Sequence, residues 1–393
     1  MLPILSLCSL ISLSTFVLSC PGHIGHGHAN IQTASPPRKL ALTDVRIFNG
    51  HGLSAPTTIV ISGSHITDNI KDAEHFNASG HVLLPGLIDS HVHPTNITHL
   101  QQLARWGVTT GMTMACFSAA QCASLQNHTG LTNVFRSSAP AAAPGSAHGN
   151  LTSFVDHTGV LLVHNSSDAV RWTQLQMQSR PDYIKLIAEA PGLSQDTLNA
   201  LVIESHSFGK KVVCHAATFS AYSQAVTAGV DQIHHSPLDK PITCTIAEEI
   251  KKNGRAVVPT LAIMKAIADT QSSTSSFNAS LATAAELRRK RVPILAGTDA
   301  NLQPGIVATV PFGTSLHEEL ELLVEAGLSS VEALRAATVE PARVWGLEDR
   351  GVVKVGMRAD LVLVKGDPVR DVRESRNVKK VWIGGVEVEG VGA

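Results

Sequence analysis

The sequence predicts an α/β protein, a (β/α)8 TIM barrel with a small β-sandwich domain built from both chain ends. Between residues 85 and 330, short apolar runs alternate with stretches of helical apolar spacing, in the number and over the length expected for eight β/α units. Shorter alternating runs with Gly and Asp turns come before and after that region. Hydrophobic residues are 44% of the chain and charged residues 16%, which excludes a disordered protein.

The chain begins with a segment typical of a secretory signal. Residues 2–19 carry no charge and are rich in Leu, Ile, Val and Phe, so we assign residues 1–20 as a signal peptide. A membrane anchor is the alternative, but serines dilute the run and it is barely long enough to span a bilayer. Residues 21–37 are rich in Gly, Pro and His without periodicity, and we assign them as a linker.

The β-sandwich domain is expected to comprise residues 38–84 and 345–393. Its predicted strands lie in LALTDVRIFNG, TTIVISGSHIT, HVLLPGLID, GVVKVGMRADLVLVKGDP and NVKKVWIGGVEV. The barrel, expected over residues 85–344, has its strands in GLIDSHVH, VTTGMTMA, NVFRSSA, DYIKLIAE, KVVCHA, DQIHHS, AVVPTLA and VPILAGTDA. Because catalytic groups of such barrels lie at the carboxyl ends of the strands, polar residues at the ends of these runs are the candidates for chemistry.

Histidines end three of the predicted barrel strands. His91 and His93 are two residues apart, so both imidazoles lie on one face of the first strand and form a half-site suited to zinc. His215 ends the fifth strand and His235 the sixth. A core or surface pair is the alternative for His91 and His93. The same parity predicts that His234 points away from His235, toward the helices.

Two further polar residues stand in or at the end of apolar strands. Lys185 lies within YIKLIAE, where an amine is costly to bury unless it is paired, for example with Glu189, or modified. If its amine captures CO2, the resulting carbamate is an anionic ligand able to bridge two cations. Asp299 ends the last strand and is either a helix cap or a proton shuttle for a metal-bound water.

These residues, together with the motifs around them, resemble the amidohydrolase superfamily, in particular its imidazolonepropionase-like, Xaa-Pro dipeptidase and ochratoxinase branch. The resemblance extends from about Leu40 to about Val388 and is carried by LLPGLIDSHVHP, GVTT, DYIKL, GVDQIHHS, PILAGTDA and GMRADLVLVKGDP. It implies two zinc or similar divalent ions. The ligands that it implies are His91 and His93 on one ion, His215 and His235 on the other, carbamylated Lys185 as the bridge, and Asp299 at both the metals and the nucleophile.

The resemblance also implies an activity. We expect a metal-dependent hydrolase that cleaves an amide, such as an N-acyl amino acid or a dipeptide-like compound, by a metal-bridging hydroxide with Asp299 as proton shuttle. Hydrolysis of a cyclic amide or lactone, deamination, and a catalytically silent binding protein are the alternatives. His148 resembles a loop histidine of the family that faces the substrate, or else is an exposed loop residue, and His317 is expected to be structural.

One departure from the family pattern lies beside a predicted ligand. The family commonly reads Ile-Glu-His-Gly where this chain has Ile233, His234, His235 and Ser236. The predicted ligand His235 is retained, but its neighbours differ.

The charge balance limits the partners. The net charge is −1, so there is no basic excess of the kind that nucleic-acid or anionic-membrane binding requires. We therefore expect a small-molecule substrate, no nucleic acid and no membrane in the mature form, and the sequence leaves a homo-oligomer open. Cys116 and Cys122 are able to pair in an oxidising compartment, whereas Cys214 is expected to be a buried free thiol.

Glycosylation sequons support the secretory assignment. N-x-[ST] occurs six times, more often than chance gives. We predict glycans at Asn77, Asn127, Asn150, Asn165 and Asn278. Asn96 completes the set but lies three residues after His93, where a glycan would obstruct the barrel mouth. The protein is therefore expected to be secreted, or to reside in a vacuole or another compartment of the secretory pathway.

The first prediction concerns processing. Native protein should begin near residue 20–30 and should lose mass on endoglycosidase treatment, because signal cleavage and glycan transfer occur on entry to the secretory pathway. Amino-terminal sequencing and intact-mass measurement test this. Native protein that retains Met1 and carries no glycan would contradict it.

Overall fold

The computed structural model describes residues 39–270, 276–302 and 306–391, so the predicted signal peptide and linker lie outside the described residues. The strands are β1 (Leu40–Ile47), β2 (Thr57–Ser62), β3 (His65–Thr67), β4 (Glu74–Asn77), β5 (His81–Pro85), β6 (Leu87–Val92), β7 (Val108–Thr113), β8 (Asn133–Ala141), β9 (Tyr183–Ile187), β10 (Val212–His215), β11 (Gln232–His234), β12 (Ala256–Val258), β13 (Leu361–Lys365), β14 (Val378–Ile383) and β15 (Val386–Glu387). The α-helices are α1 (Ile97–Arg105), α2 (Ala119–Ser124), α3 (Ala147–Val155), α4 (Ala169–Gln178), α5 (Gln195–Ser207), α6 (Phe219–Ala228), α7 (Cys244–Lys252), α8 (Leu261–Thr270), α9 (Phe277–Arg289), α10 (Thr314–Glu325), α11 (Ser330–Ala336) and α12 (Val339–Trp345).

A small β domain combines strands from both ends of the chain, as predicted. The strands β1 and β2 are antiparallel, and the last residues of β1 pair in parallel with β5. The strand β5 in turn pairs with β13, which belongs to the other end of the chain. Side chains from both ends share one apolar core, so neither part could bury its strands alone. The fully buried members of this core include Leu42, Ile61, Leu83, Leu361 and Leu363.

The strands β6 to β12 form a parallel sheet in chain order, and residues 294–300 complete the barrel between β12 and β6. The Leu295 amide donates to the Val257 carbonyl over 2.9 Å, and the Ser90 amide donates to the Ala296 carbonyl over 2.9 Å. Gly297 permits this close approach, because a Cβ there would lie 2.9 Å from the His91 nitrogen. The predicted barrel is confirmed.

The barrel interior is filled at the end opposite the mouth. Trp345, the last residue of α12, lies with its ring centroid 4.6 Å from that of Tyr183, the first residue of β9. Trp345 also packs against the interior residues Val258 and Leu295. The barrel interior is therefore packed at the amino ends of the strands, and the site is expected at their carboxyl ends.

His317 has the structural role that the sequence analysis expects. It is fully buried in α10, with Nδ1 2.9 Å from the Ser375 hydroxyl and Nε2 2.9 Å from the Trp106 carbonyl. Both ring nitrogens are thus used to join α10 to neighbouring segments.

Cys116 and Cys122 form a disulfide bond in the segment between β7 and the end of α2, and Cys214 is a buried free thiol. All six sequon asparagines are exposed, which glycosylation requires. Their modification and the location of the protein remain predictions.

No helix in the described part of the chain combines the length and apolar character needed to cross a bilayer.

A buried carboxyl group links two outer helices. Glu319 of α10 has no exposed surface, and its Oε2 accepts the Ala262 amide of the first turn of α8 over 2.8 Å. Its Oε1 has no hydrogen-bond partner among the described residues. Burial raises the pKa of Glu319 from 4.5 to about 8, an effect that the hydrogen bonds from α8 oppose and the nearby Asp89 reinforces.

This elevated pKa predicts a loss of stability at alkaline pH. Between pH 6 and 8 the folded protein keeps a proton on Glu319 that the unfolded chain has released, so the free energy of unfolding falls as the pH rises. The expected loss is about 1.4 kcal/mol per pH unit from this group. Glu319→Gln should remove this pH-dependent loss, because glutamine does not titrate. Its amide oxygen can still accept the hydrogen bond from α8.

Denaturant unfolding at pH 6 and pH 9 tests the prediction, with Glu318→Gln as the matched control because that side chain is partly exposed. Glu319→Gln should lose roughly 2–3 kcal/mol less than the wild type over this interval. Equal losses in both proteins would mean that Glu319 is already ionised at pH 6.

Candidate metal centre

The six predicted site residues lie in or directly after four of the seven barrel strands and in the closing segment of residues 294–300, at or near the carboxyl ends. His91 lies in β6, and His93 is the first residue after the end of that strand. Lys185 is central in β9, His215 ends β10, and His235 directly follows β11. Asp299 lies in residues 294–300, which complete the barrel. Because the strands are parallel, all these ends surround one opening.

The first and last strands bring three ligand-type side chains together. Nε2 of His91 lies 3.3 Å from Nε2 of His93. Oδ1 of Asp299 lies 2.9 Å from Nε2 of His93 and 3.4 Å from Nε2 of His91. Three donor atoms that face a common point at these separations are an arrangement that one cation can bridge.

A second group of imidazoles continues from the first. The ring centroid of His235 lies 4.8 Å from that of His91 and 4.4 Å from that of His215. Ligand atoms of His91, His235 and Asp299 all lie within 4.8 Å of one another. The two histidine pairs that the sequence separates therefore form one continuous cluster, which Asp299 joins through His91, His93 and His235.

Burial sets the charge state of this cluster. It lowers the pKa of His91 and His215 well below the ordinary value and that of His235 to about 3, so these rings are neutral and keep a lone pair for a ligand. Burial alone would raise the pKa of Asp299, but the hydrogen bond with His93 and the charges of His93, His235 and Lys185 together outweigh it, and the net shift is downward. Asp299 is therefore an anion beside the neutral rings of His91 and His235.

Lys185 is almost completely buried, at 3% exposure. Burial lowers the pKa of its amine to about 8, although the charge of Asp299 acts in the opposite direction. Its main-chain amide donates to the Ser138 hydroxyl over 3.0 Å, which ties β9 to β8 at this level. The alternative partner Glu189 pairs instead with His148.

His148 lies at the start of α3, beside the histidine cluster. Its ring centroid is 4.3 Å from that of His215, and its Nδ1 is 2.8 Å from Oε2 of Glu189. Oε1 of the same carboxylate accepts the His148 main-chain amide over 3.0 Å. The carboxylate thus fixes both the helix start and the ring, and the ring remains partly exposed at the mouth.

Residues that the sequence analysis does not single out hold the ligand residues in place. Oδ1 of Asp89 accepts the main-chain amides of His91 and Thr298, each over 3.1 Å, and its Oδ2 accepts the Thr298 hydroxyl over 2.7 Å. Burial raises the pKa of Asp89 to about 7 against these hydrogen bonds. Nδ1 of His235 lies 2.9 Å from the Thr260 hydroxyl. The sequence feature that could have identified Asp89 is its position two residues before His91, which places both side chains on the same face of β6.

The predicted orientation of His234 is wrong. Its Nδ1 lies 2.9 Å from Nδ1 of His91, inside the barrel rather than among the helices. The prediction assumed extended backbone through both residues. His235, however, has φ of +76°, so the backbone turns after His234 and both consecutive side chains reach the interior.

The donor set fits divalent metal ions. It combines neutral imidazoles, one carboxylate and a buried amine, and zinc and similar ions favour imidazole and carboxylate ligands. Asp299, like His235, has a positive φ, of +56°, a conformation that costs about 1 kcal/mol or more for a residue other than Gly. Both residues thus hold their side chains in the cluster by an unfavourable backbone conformation.

Comparison with known proteins agrees with this architecture. Residues 183–388 match the model of the amidohydrolase family. An uncharacterized protein of Mycobacterium tuberculosis is 26% identical over 374 residues, which cover 86% of this chain and 93% of that protein.

Two solved structures share the fold. A Xaa-Pro dipeptidase with methionine bound in its active site superposes with a TM-score of 0.77 at 22% identity, over 90% of this chain and 100% of that one. The ochratoxinase of A. niger superposes with a TM-score of 0.74 at 18% identity, over 91% of this chain and 97% of that one.

Proposed function

Because the chain belongs to the amidohydrolase family, we propose that this hydrolase is a two-metal enzyme that cleaves an amide bond of a small molecule. The observation that carries the proposal is the convergence of His91, His93, His215, His235 and Asp299 at one opening of the barrel. Packing alone does not require five polar side chains there, since unpaired buried polar groups are costly.

The residues present divide into two ligand pairs. His91 and His93 would hold one zinc or similar ion, and His215 and His235 the other. Lys185 would bridge them after carbamylation. In that step the nitrogen of the neutral amine bonds to the carbon of CO2 and releases a proton to solvent, which leaves a carbamate with two oxygens and one negative charge. Burial favours the neutral amine that this reaction needs.

When bound, the ions would lower the pKa of a water molecule and polarise the scissile carbonyl. Asp299 has the complementary role of moving a proton. As a partly buried anion whose Oδ1 lies 2.9 Å from Nε2 of His93, its carboxylate can accept the proton of the attacking water and then donate it to the departing nitrogen. The left-handed backbone at Asp299 and the Asp89 contacts to Thr298 keep the carboxylate at the opening.

Substrate binding is proposed for His148. Glu189 holds Nδ1 of its ring, which leaves Nε2 for a polar group of a substrate at the mouth. An N-acyl amino acid or dipeptide-like compound supplies such a group in its carboxylate or carbonyl. This choice is supported by the similarity to a Xaa-Pro dipeptidase and an ochratoxinase, whose likeness to this chain concerns the fold.

The test of the proposed function combines metal analysis with a substrate panel. Purified protein should contain close to two transition-metal ions per chain, and a strong chelator should remove its activity. N-acyl amino acids and dipeptides should be hydrolysed faster than lactones or aminated heterocycles. Active protein free of transition metal would overturn the metal role, and release of ammonia from heterocycles alone would identify a deaminase.

Asp299→Asn completes this test. Asparagine tolerates the left-handed backbone but cannot accept the proton, so turnover should fall by about 100-fold or more while the fold is kept. Asp269→Asn, on the exposed side of α8, is the matched control and should leave turnover unchanged.

Lys185 gives a separate prediction. Lys185→Ala should lose metal and activity together, because the bridging carboxylate is absent, and a short carboxylic acid at high concentration should restore part of both. Lys185→Arg should not restore them, because a guanidinium group keeps its proton and does not add to CO2. Metal content and turnover measured on all three proteins decide the point. A Lys185→Arg variant with two metal ions and near-normal turnover would refute the bridging role.

A further inference from the structure

His234 makes a contact with the metal centre that the family resemblance does not provide. Its Nδ1 lies 2.9 Å from Nδ1 of His91, and both side chains are almost completely buried. The ring centroids are 4.9 Å apart, with the planes inclined at 58°, so the contact is between ring edges and not a stack. At this separation of two nitrogens, one proton lies between them as a hydrogen bond.

The surroundings of His91 decide which nitrogen carries that proton. Its Nε2 faces His93 and Asp299, at 3.3 Å and 3.4 Å, and is the atom available to a metal ion. A ring nitrogen that binds a metal uses its lone pair, so in the neutral ring Nδ1 must hold the proton. His91 is then the donor and Nδ1 of His234 the acceptor.

We infer that His234 is a positioning residue that orients His91 for metal binding by accepting a hydrogen bond from its Nδ1–H. Histidines that bind metals commonly donate their second ring nitrogen to a carboxylate or a carbonyl. Here the acceptor is a neutral imidazole, which fixes the ring plane and the tautomer of His91 without adding negative charge to the site. The inference rests on the proposed two-metal function.

The assigned tautomer leaves the other nitrogen of the His234 ring without a partner. With Nδ1 as acceptor, its proton lies on Nε2, which points to a part of the barrel interior where it has no hydrogen-bond partner among the described residues. Gln232, two residues earlier on the same face of β11, also has a side-chain oxygen and nitrogen without such partners. The Gln232 side chain makes no hydrogen bond to a ligand residue in the described part of the chain, so Gln232 is a suitable control position.

Three substitutions of His234 and one control substitution separate an acceptor role from simple packing. His234→Asn places an amide oxygen close to the position of Nδ1 and can accept from His91. His234→Gln places its polar atoms farther along the side chain, near the position of Nε2. His234→Leu fills similar space but accepts nothing. Gln232→Leu removes a buried polar group from the same strand without touching His91.

The measurements are the affinity for Zn2+ by chelator competition and the visible absorption spectrum of the Co2+-loaded protein, with thermal unfolding as a check on the fold. His234→Leu should bind the ion assigned to His91 and His93 about 10–100-fold less tightly and change the Co2+ spectrum. His234→Asn should stay within a few-fold of the wild type, and Gln232→Leu should match it. If His234→Leu does not fold, the comparison between His234→Asn and His234→Gln carries the test, and His234→Gln should bind less tightly.

Failure of the proposed function and failure of the His234 role would give different results. Wild-type protein that binds neither Zn2+ nor Co2+ would overturn the proposed function and the role of His234 with it. Metal binding by the wild type together with equal affinity and spectrum in His234→Leu would overturn only the role of His234. Equal affinity in His234→Asn and His234→Gln would likewise refute the acceptor role.

Discussion

The carboxylate of Asp89 joins the two strands on either side of the barrel closure, and the arrangement of the site depends on that junction. It accepts the main-chain amide of His91 on the first strand and both the amide and hydroxyl of Thr298 on the last. The side chains of His91 and Asp299 come from residues at or next to these anchors. A shift of one strand against the other would therefore separate the carboxylate of Asp299 from the imidazoles it contacts.

Burial favours the uncharged form of each titratable side chain in this cluster. It keeps the rings of His91, His215 and His235 neutral and reduces the basicity of Lys185, whereas hydrogen bonding and neighbouring charges, acting against burial, keep Asp299 an anion. Lone pairs that water would otherwise satisfy are thus concentrated in a region of low dielectric, where a positively charged species is the partner that compensates them. The same burial makes the second contacts of the rings, to Thr260 and His234, the means by which their orientation is held.

The sequence predicts the main-chain architecture well, because that architecture follows from apolar periodicity. The seven barrel strands and the closing segment of residues 294–300 each lie where an apolar run occurs, and the β domain takes its strands from both ends. The strand-end histidines follow from the same pattern. The orientation of His234 does not follow from this pattern, because the left-handed backbone at His235 interrupts the alternation of faces. No glycine at that point predicts the interruption. The pairing of Glu189 with His148 and the role of Asp89 are missed for another reason, since both depend on contacts between residues that are remote in sequence.

The left-handed backbone at His235 and Asp299 narrows the routes by which this site can evolve. Outside glycine, that conformation is adopted most readily by asparagine, aspartate and histidine, and least readily by β-branched residues. At position 299 aspartate is the member of this group that carries a carboxylate, and at position 235 histidine is the member that carries an imidazole. Glutamate or a β-branched residue at position 235 or 299 would strain the main chain there. Substitutions that pass through such residues are therefore disfavoured. Variation in substrate preference is consequently more accessible through the loops around the mouth than through the ligands themselves.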